Sequence, residues 1–79
     1  MITKDQLKVG IFFDYVAGNI WSVFEIKQVD PIVTIMPLYS SVNREDMNTT
    51  FEFDITANMY VNIIDDNKLQ YYKKISVFT

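Results

Sequence analysis

Few side chains in this 79-residue sequence could do chemistry. There is no histidine and no cysteine, which removes Ser-His-Asp triads, thiolate nucleophiles and the commonest zinc sites. Carboxylates, lysines and tyrosines remain. Glu45-Asp46 and Asp65-Asp66 are sequence neighbours, so on a strand the two carboxylates of each pair would point to opposite faces. Asp65-Asp66-Asn67 lacks the glycine and the distal glutamate of a calcium loop and reads as turn chemistry. Gly10 and Gly18 are the only glycines, too few for a glycine-rich phosphate cradle. No catalytic residue, metal site or cofactor is expected, and the chain is not expected to be an enzyme.

Binding chemistry is better represented. Tyr71-Tyr72-Lys73-Lys74 interleaves rings and positive charge, which could stack bases and neutralise phosphates. The same pattern suits a strand that buries alternate residues while its lysines guard an edge. A formal net charge of −3 and the lack of another basic cluster disfavour nucleic acid. The stretch "SVNREDMNTT" (41–50) is the one long polar interruption. It holds Arg44, the only arginine, beside Glu45, Asp46 and Met47, with Tyr39 just before. Arg, Tyr and Met are enriched at interfaces, and a loop this long among tight turns is usually functional or mobile. It is expected to be exposed and dispensable for the core. Trp21, with Val16 and Val23, forms an apolar patch that needs either a partner or a covering segment of the chain. The candidate partner-binding residues are therefore Tyr39, Arg44, Glu45, Asp46, Met47 and Trp21.

These side chains must be positioned by strands. Gly18-Asn19 lies between two β-rich runs and predicts a two-residue hairpin loop, glycine supplying the positive φ. That fixes a register of Ala17 with Ile20, Tyr15 with Ser22, Phe13 with Phe24 and Ile11 with Ile26, all on the core face. Val16, Trp21, Asp14, Val23, Phe12 and Glu25 fall on the other face. Asp30-Pro31 suggests a type I turn. Ile32 to Met36 is apolar on both faces, as in a doubly covered strand, and Pro37 predicts an edge or a bend. Phe51 to Ile55 alternates aromatics with carboxylates, Met59 to Ile64 reads as a further strand, and Leu69 to Phe78 as the last. Thr3-Lys4-Asp5-Gln6 fits a capping box for one helical turn over residues 4–8, with Ile2 and Leu7 as its staple.

Five or six short strands in one domain spanning residues 1–79 predict an all-β fold. The expected form is a small antiparallel barrel or rolled sheet, SH3-like in preference to OB-like, with a short N-terminal helical turn. Closure would remove exposed edges. No apolar run approaches the length of a membrane span, no secretory signal is read at the N-terminus, and the absence of cysteine fits a reducing, cytoplasmic setting. Residue usage is rich in Phe, Tyr, Met, Ile, Asn and Lys and poor in Gly, Ala, Arg and Pro, as in an AT-rich genome. The expected function is a protein-binding module, a phage accessory protein that inhibits or redirects a host protein. A homo-oligomeric assembly component is the alternative, and single-stranded nucleic-acid or nucleotide binding a third.

Overall fold

Five strands and one helix build the structure, a computed structural model that describes residues 2–77. The strands are β1 (Phe12–Ala17), β2 (Ile20–Gln28), β3 (Thr34–Ser40), β4 (Phe51–Glu52) and β5 (Val61–Ile64), followed by helix α1 (Asp66–Ile75). They form one antiparallel sheet in the order β4-β3-β2-β1-β5. All six pairs of the β1–β2 register are those expected from the Gly18-Asn19 turn, among them Ala17 with Ile20, Tyr15 with Ser22 and Phe13 with Phe24. Gly18 has φ 63°, the conformation that a Cβ would oppose. A hydrogen bond from the Ile26 N–H to the Ile11 carbonyl, 2.9 Å, extends the same register.

Several local expectations change. The chain continues as β3 through Pro37, which stands opposite Phe24 beside a register shift. A bulge is one of the few places where a sheet tolerates proline. The Asp30–Pro31 peptide is cis, and residues 30–32 run as a bend rather than a hydrogen-bonded turn. Only Phe51 and Glu52 of the alternating run form a strand. Pairing ends where the Phe53 N–H meets the Val33 carbonyl, and the chain then makes a 3-10 turn over Ile55–Ala57. The alternation still describes burial, since Ile55 is fully buried while Glu52 and Asp54 are exposed. The N-terminal turn is a 3-10 turn over Lys4–Gln6, with the Gln6 side chain accepting the Thr3 N–H at 2.8 Å. Ile2 and Leu7 on either side are buried.

The largest correction concerns the end of the chain. The segment expected as a last strand is α1, and Phe78 lies outside the described residues. Asp65 caps the helix by accepting the Lys68 N–H at 2.8 Å. Asp66 occupies the first turn and Lys73 and Lys74 the last, which suits both ends of the helix dipole. Leu69 and Tyr72, three apart on one helical face, are its buried residues.

The sheet is therefore covered on both faces. On one, Phe13, Phe24, Ile26 and Ile35 pack with Val61 beneath Ile2, Leu7 and Ile55. On the other, Val23 and Ile64 pack beneath Leu69 and Tyr72 of α1, with Phe12, Trp21 and Tyr39 around them. Ala17 and Ile20, expected in the core, are exposed at the hairpin tip. The ladder does not close: β4 and β5 are its two edges. A rolled antiparallel sheet with one helix is the architecture.

Candidate functional site

The most unusual chemistry lies under α1. Asp14, in the middle of β1, faces the helix and is 1% exposed. A carboxylate so deep must be paired or neutralised. The Tyr72 hydroxyl donates to Asp14 Oδ2 at 2.7 Å, and Lys68 Nζ lies 3.5 Å from the same oxygen. Oδ1 is buried without a hydrogen-bond partner. Burial, and after it the bond to Asp14, push the Tyr72 hydroxyl well above the usual tyrosine range. The Trp21 ring stacks at a tilt on Tyr72, centroids 4.5 Å apart. This cluster locks the helix onto the sheet. Its chemistry is that of a fastening.

The 41–50 loop joins β3 to β4 and is more tightly folded than its composition suggested. Arg44 donates from Nε and one terminal nitrogen to both Asp46 oxygens, each at 2.7 Å, and from the other terminal nitrogen to Ser22 Oγ at 3.1 Å. Its guanidinium lies 5.0 Å from the centroid of the Phe24 ring, within the range of a cation–π contact. The hydrogen bonds from Arg44 hold the Asp46 carboxyl below the usual carboxylate range. The Asn48 N–H bonds to the Pro37 carbonyl at 3.1 Å, with Asn48 in the left-handed region at φ 63°. Arg44 thus roofs part of the apolar face, and the loop is not detached from the core.

The sequence-predicted partner residues do not share one surface. Tyr39 and Trp21 pack on the helix-covered face. Arg44, with its partner Asp46, lies over Phe24 on the opposite face. Met47 is half-buried, and only Glu45 of the set is exposed. α1 supplies the cover that the Trp21 and Val23 patch required, while Val16 stays exposed. Of the Tyr-Lys cluster, Tyr72 is buried while Tyr71, Lys73 and Lys74 face outward.

Two surface features were not singled out from the sequence. At the hairpin end, Trp21 and Ser41 exchange hydrogen bonds: the Ser41 N–H to the Trp21 carbonyl at 3.0 Å, and the Trp21 N–H to Ser41 Oγ at 2.9 Å. This carries Ile20 alongside Val42. The Val77 N–H bonds to the Ser40 carbonyl at 3.0 Å, bringing a third apolar side chain to that end. Ile20, Val42 and Val77 are all exposed.

The second feature is the contrast between the sheet edges. β4 is two residues long and carries Glu52, with Asp54 just beyond. Short length and charge are the usual protection of an edge. β5 has neither. The run from Asn58 to Ile64 has no charged residue, no proline and no glycine, and Met59, Tyr60 and Ile63 are large and exposed. No protein-family model, curated protein or solved structure matches this chain. Among the described residues no group of three or more carboxylate, histidine or cysteine side chains could hold a metal, and no helix is long and apolar enough to cross a membrane.

Proposed function

We propose that this chain is a non-enzymatic protein-binding module, a small bacteriophage-type accessory protein that works in the cytoplasm of a bacterial host. Its partner is a host protein that it inhibits or redirects. The observation that supports the binding role is the hairpin end, where Ile20, Val42 and Val77 stand exposed beside the half-buried Trp21. Exposed apolar side chains near an aromatic are the usual material of an interface centre. Glu45, exposed on the same loop, would act at the rim, where charge tunes partner choice and association rate. Arg44 serves this surface indirectly, since its fork is already held by Asp46 and Ser22. The phage setting rests on the AT-rich residue usage alone.

The test uses tagged wild-type chain and an Ile20→Asp/Val42→Asp variant to capture proteins from bacterial lysate, followed by titration calorimetry with the protein recovered. The variant should melt as the wild type does and bind at least tenfold more weakly, about 1.4 kcal/mol. Equal affinities would remove this surface from the reading. Retention of oligonucleotides that falls steeply with salt would favour nucleic acid instead.

A further inference from the structure

Every strand of the sheet except β4 and β5 is paired on both sides. The register of β5 shows which of its backbone groups are left over. Asn62 faces Asp14 and Ile64 faces Phe12, and the Val16 N–H bonds to the Tyr60 carbonyl at 3.3 Å. In an antiparallel ladder the directly bonded pairs alternate, so Asn62 and Ile64 turn their amides and carbonyls towards β1, as Tyr60 does its carbonyl, while the Tyr60 N–H donates to Asn58 Oδ1 at 2.8 Å. Val61 and Ile63 turn theirs outward. These outward groups lie on a strand free of charge and proline, flanked by Met59, which is 72% exposed. A cavity of about 300 Å³ lined by Ile2, Gln6, Met59, Val61, Asn62 and Ile63 opens beside them.

We propose that β5 is a homodimer edge: two copies pair β5 against β5 antiparallel about a two-fold axis at Asn62, joining their sheets into one. The inference stands apart from the host-protein reading and uses a different surface. The register follows from self-complementarity, which a two-fold interface requires. With the axis at Asn62, Val61 of one copy meets Ile63 of the other, and the outward amides and carbonyls of both residues are satisfied reciprocally. Tyr60 meets Ile64 across the seam, and Ile63 meets Val61 beside the cavity, so apolar side chains face apolar ones. No like charges oppose each other, because Asp65 and Asp66 lie beyond the ladder at its two ends, opposite the uncharged Met59 and Asn58. The two Asn62 side chains form the central non-hydrogen-bonded pair, the closest spacing between antiparallel strands. The β4 edge offers no such match, since its outward residue is Glu52.

Two measurements test this. Light scattering across a concentration series should show a dimer that dissociates on dilution. Ile63→Pro should give a monomer with unchanged far-ultraviolet circular dichroism, because the lost N–H points away from β1. The chain has no cysteine, so Asn62→Cys introduces a single thiol at the axis. Cβ atoms of such a pair fall within about 4.5–5.5 Å, close to disulfide reach. Mild oxidation should link Asn62→Cys into covalent dimers at least tenfold faster than Glu52→Cys at the other edge. A wild-type monomer at every concentration, or equal cross-linking at the two edges, would overturn the proposal even if Ile63→Pro fails to fold.

Discussion

The two faces of the sheet are held by different physics. One is an apolar core in which Phe13 and Phe24 stack at 5.1 Å and Phe13 and Phe53 at 6.4 Å. Its polar contact comes from a loop residue, Arg44, laid over the edge of the cluster. The other face is smaller and is organised around one buried carboxylate, Asp14, met by Tyr72 and Lys68 of α1. Apolar packing is non-directional and scales with area. A hydrogen-bonded carboxylate contributes little net stability but penalises every arrangement that leaves it unpaired. The first face therefore supplies most of the folding energy, and the second fixes where the helix sits. That division predicts substitutions of very different size.

The largest effect belongs to the apolar face. Phe24 touches Phe13, Phe51 and the Arg44 guanidinium, so truncation empties the centre of the cluster. Phe24→Ala should cost about 3–5 kcal/mol in a denaturant titration, against a total of roughly 5–15 kcal/mol for a folded domain. An unchanged midpoint would mean that the two faces do not divide the energy in this way.

The apolar face was also the more legible in sequence, because its information is local. Gly18-Asn19 sets the hairpin, and alternation places Phe13, Phe24 and Ile26 on one side of it. The run from Leu69 was misread as a strand because Tyr71, Tyr72, Ile75 and Val77 are good strand formers. The opposing signals were present in Asp65 as a cap, Asp66 and Lys73-Lys74 at the proper ends, and the spacing of Leu69 and Tyr72. Nothing near Asp14 marks it as buried, since its hydrogen-bond partner is 58 residues away. The Arg44–Asp46 pair lies within reading distance, but the contact with Ser22 spans 22 residues. The uncharged run from Asn58 to Ile64 is visible by inspection. That it ends at an open edge is not, because its partner β1 lies at the other end of the chain.

An intermediate effect should come from the helix-covered face. Tyr72→Phe keeps the ring against Trp21 and removes only the hydroxyl, leaving Asp14 with Lys68, which is itself half-exposed. The cost should be about 1–3 kcal/mol, typical of a buried charged group that loses a partner. Asp14→Leu in the Tyr72→Phe background should recover part of it, because the pair is then replaced rather than broken. The hydroxyl also predicts a pH dependence. The folded protein holds the Tyr72 proton more tightly than the unfolded chain, so this stabilisation is complete below the ordinary tyrosine range, near 10. It declines as pH rises above that towards the folded value. Wild type should lose stability relative to Tyr72→Phe between about pH 10 and 12. Parallel curves would show that the hydroxyl is not held as the geometry indicates.

The smallest effect should be at Arg44, where the two modes of stabilisation meet. Arg44→Ala removes the hydrogen bond to Ser22, the cation–π contact with Phe24 and the fork around Asp46. The Asp46 side chain is partly exposed, so the ion pair itself contributes little. The Ser22 bond and the ring contact together should be worth about 1 kcal/mol at neutral pH. Replacing residues 43–47 by glycine and serine should cost at least as much, because it also loosens the segment leading to Asn48 and its bond to Pro37. The acid side separates the contributions. Arg44 keeps the Asp46 carboxyl below its ordinary value of 3.8. The stabilisation from that pairing is therefore present above the unfolded value and is lost as pH falls through the folded one. The penalty of Arg44→Ala should shrink below pH 4 but not vanish, the remainder being the contacts with Ser22 and Phe24. A penalty that disappears in acid would assign Arg44 to the ion pair alone and would free its guanidinium for a partner once Asp46 is protonated. A penalty that ignores pH would make Asp46 a bystander and leave Arg44 as a lid on the aromatic core.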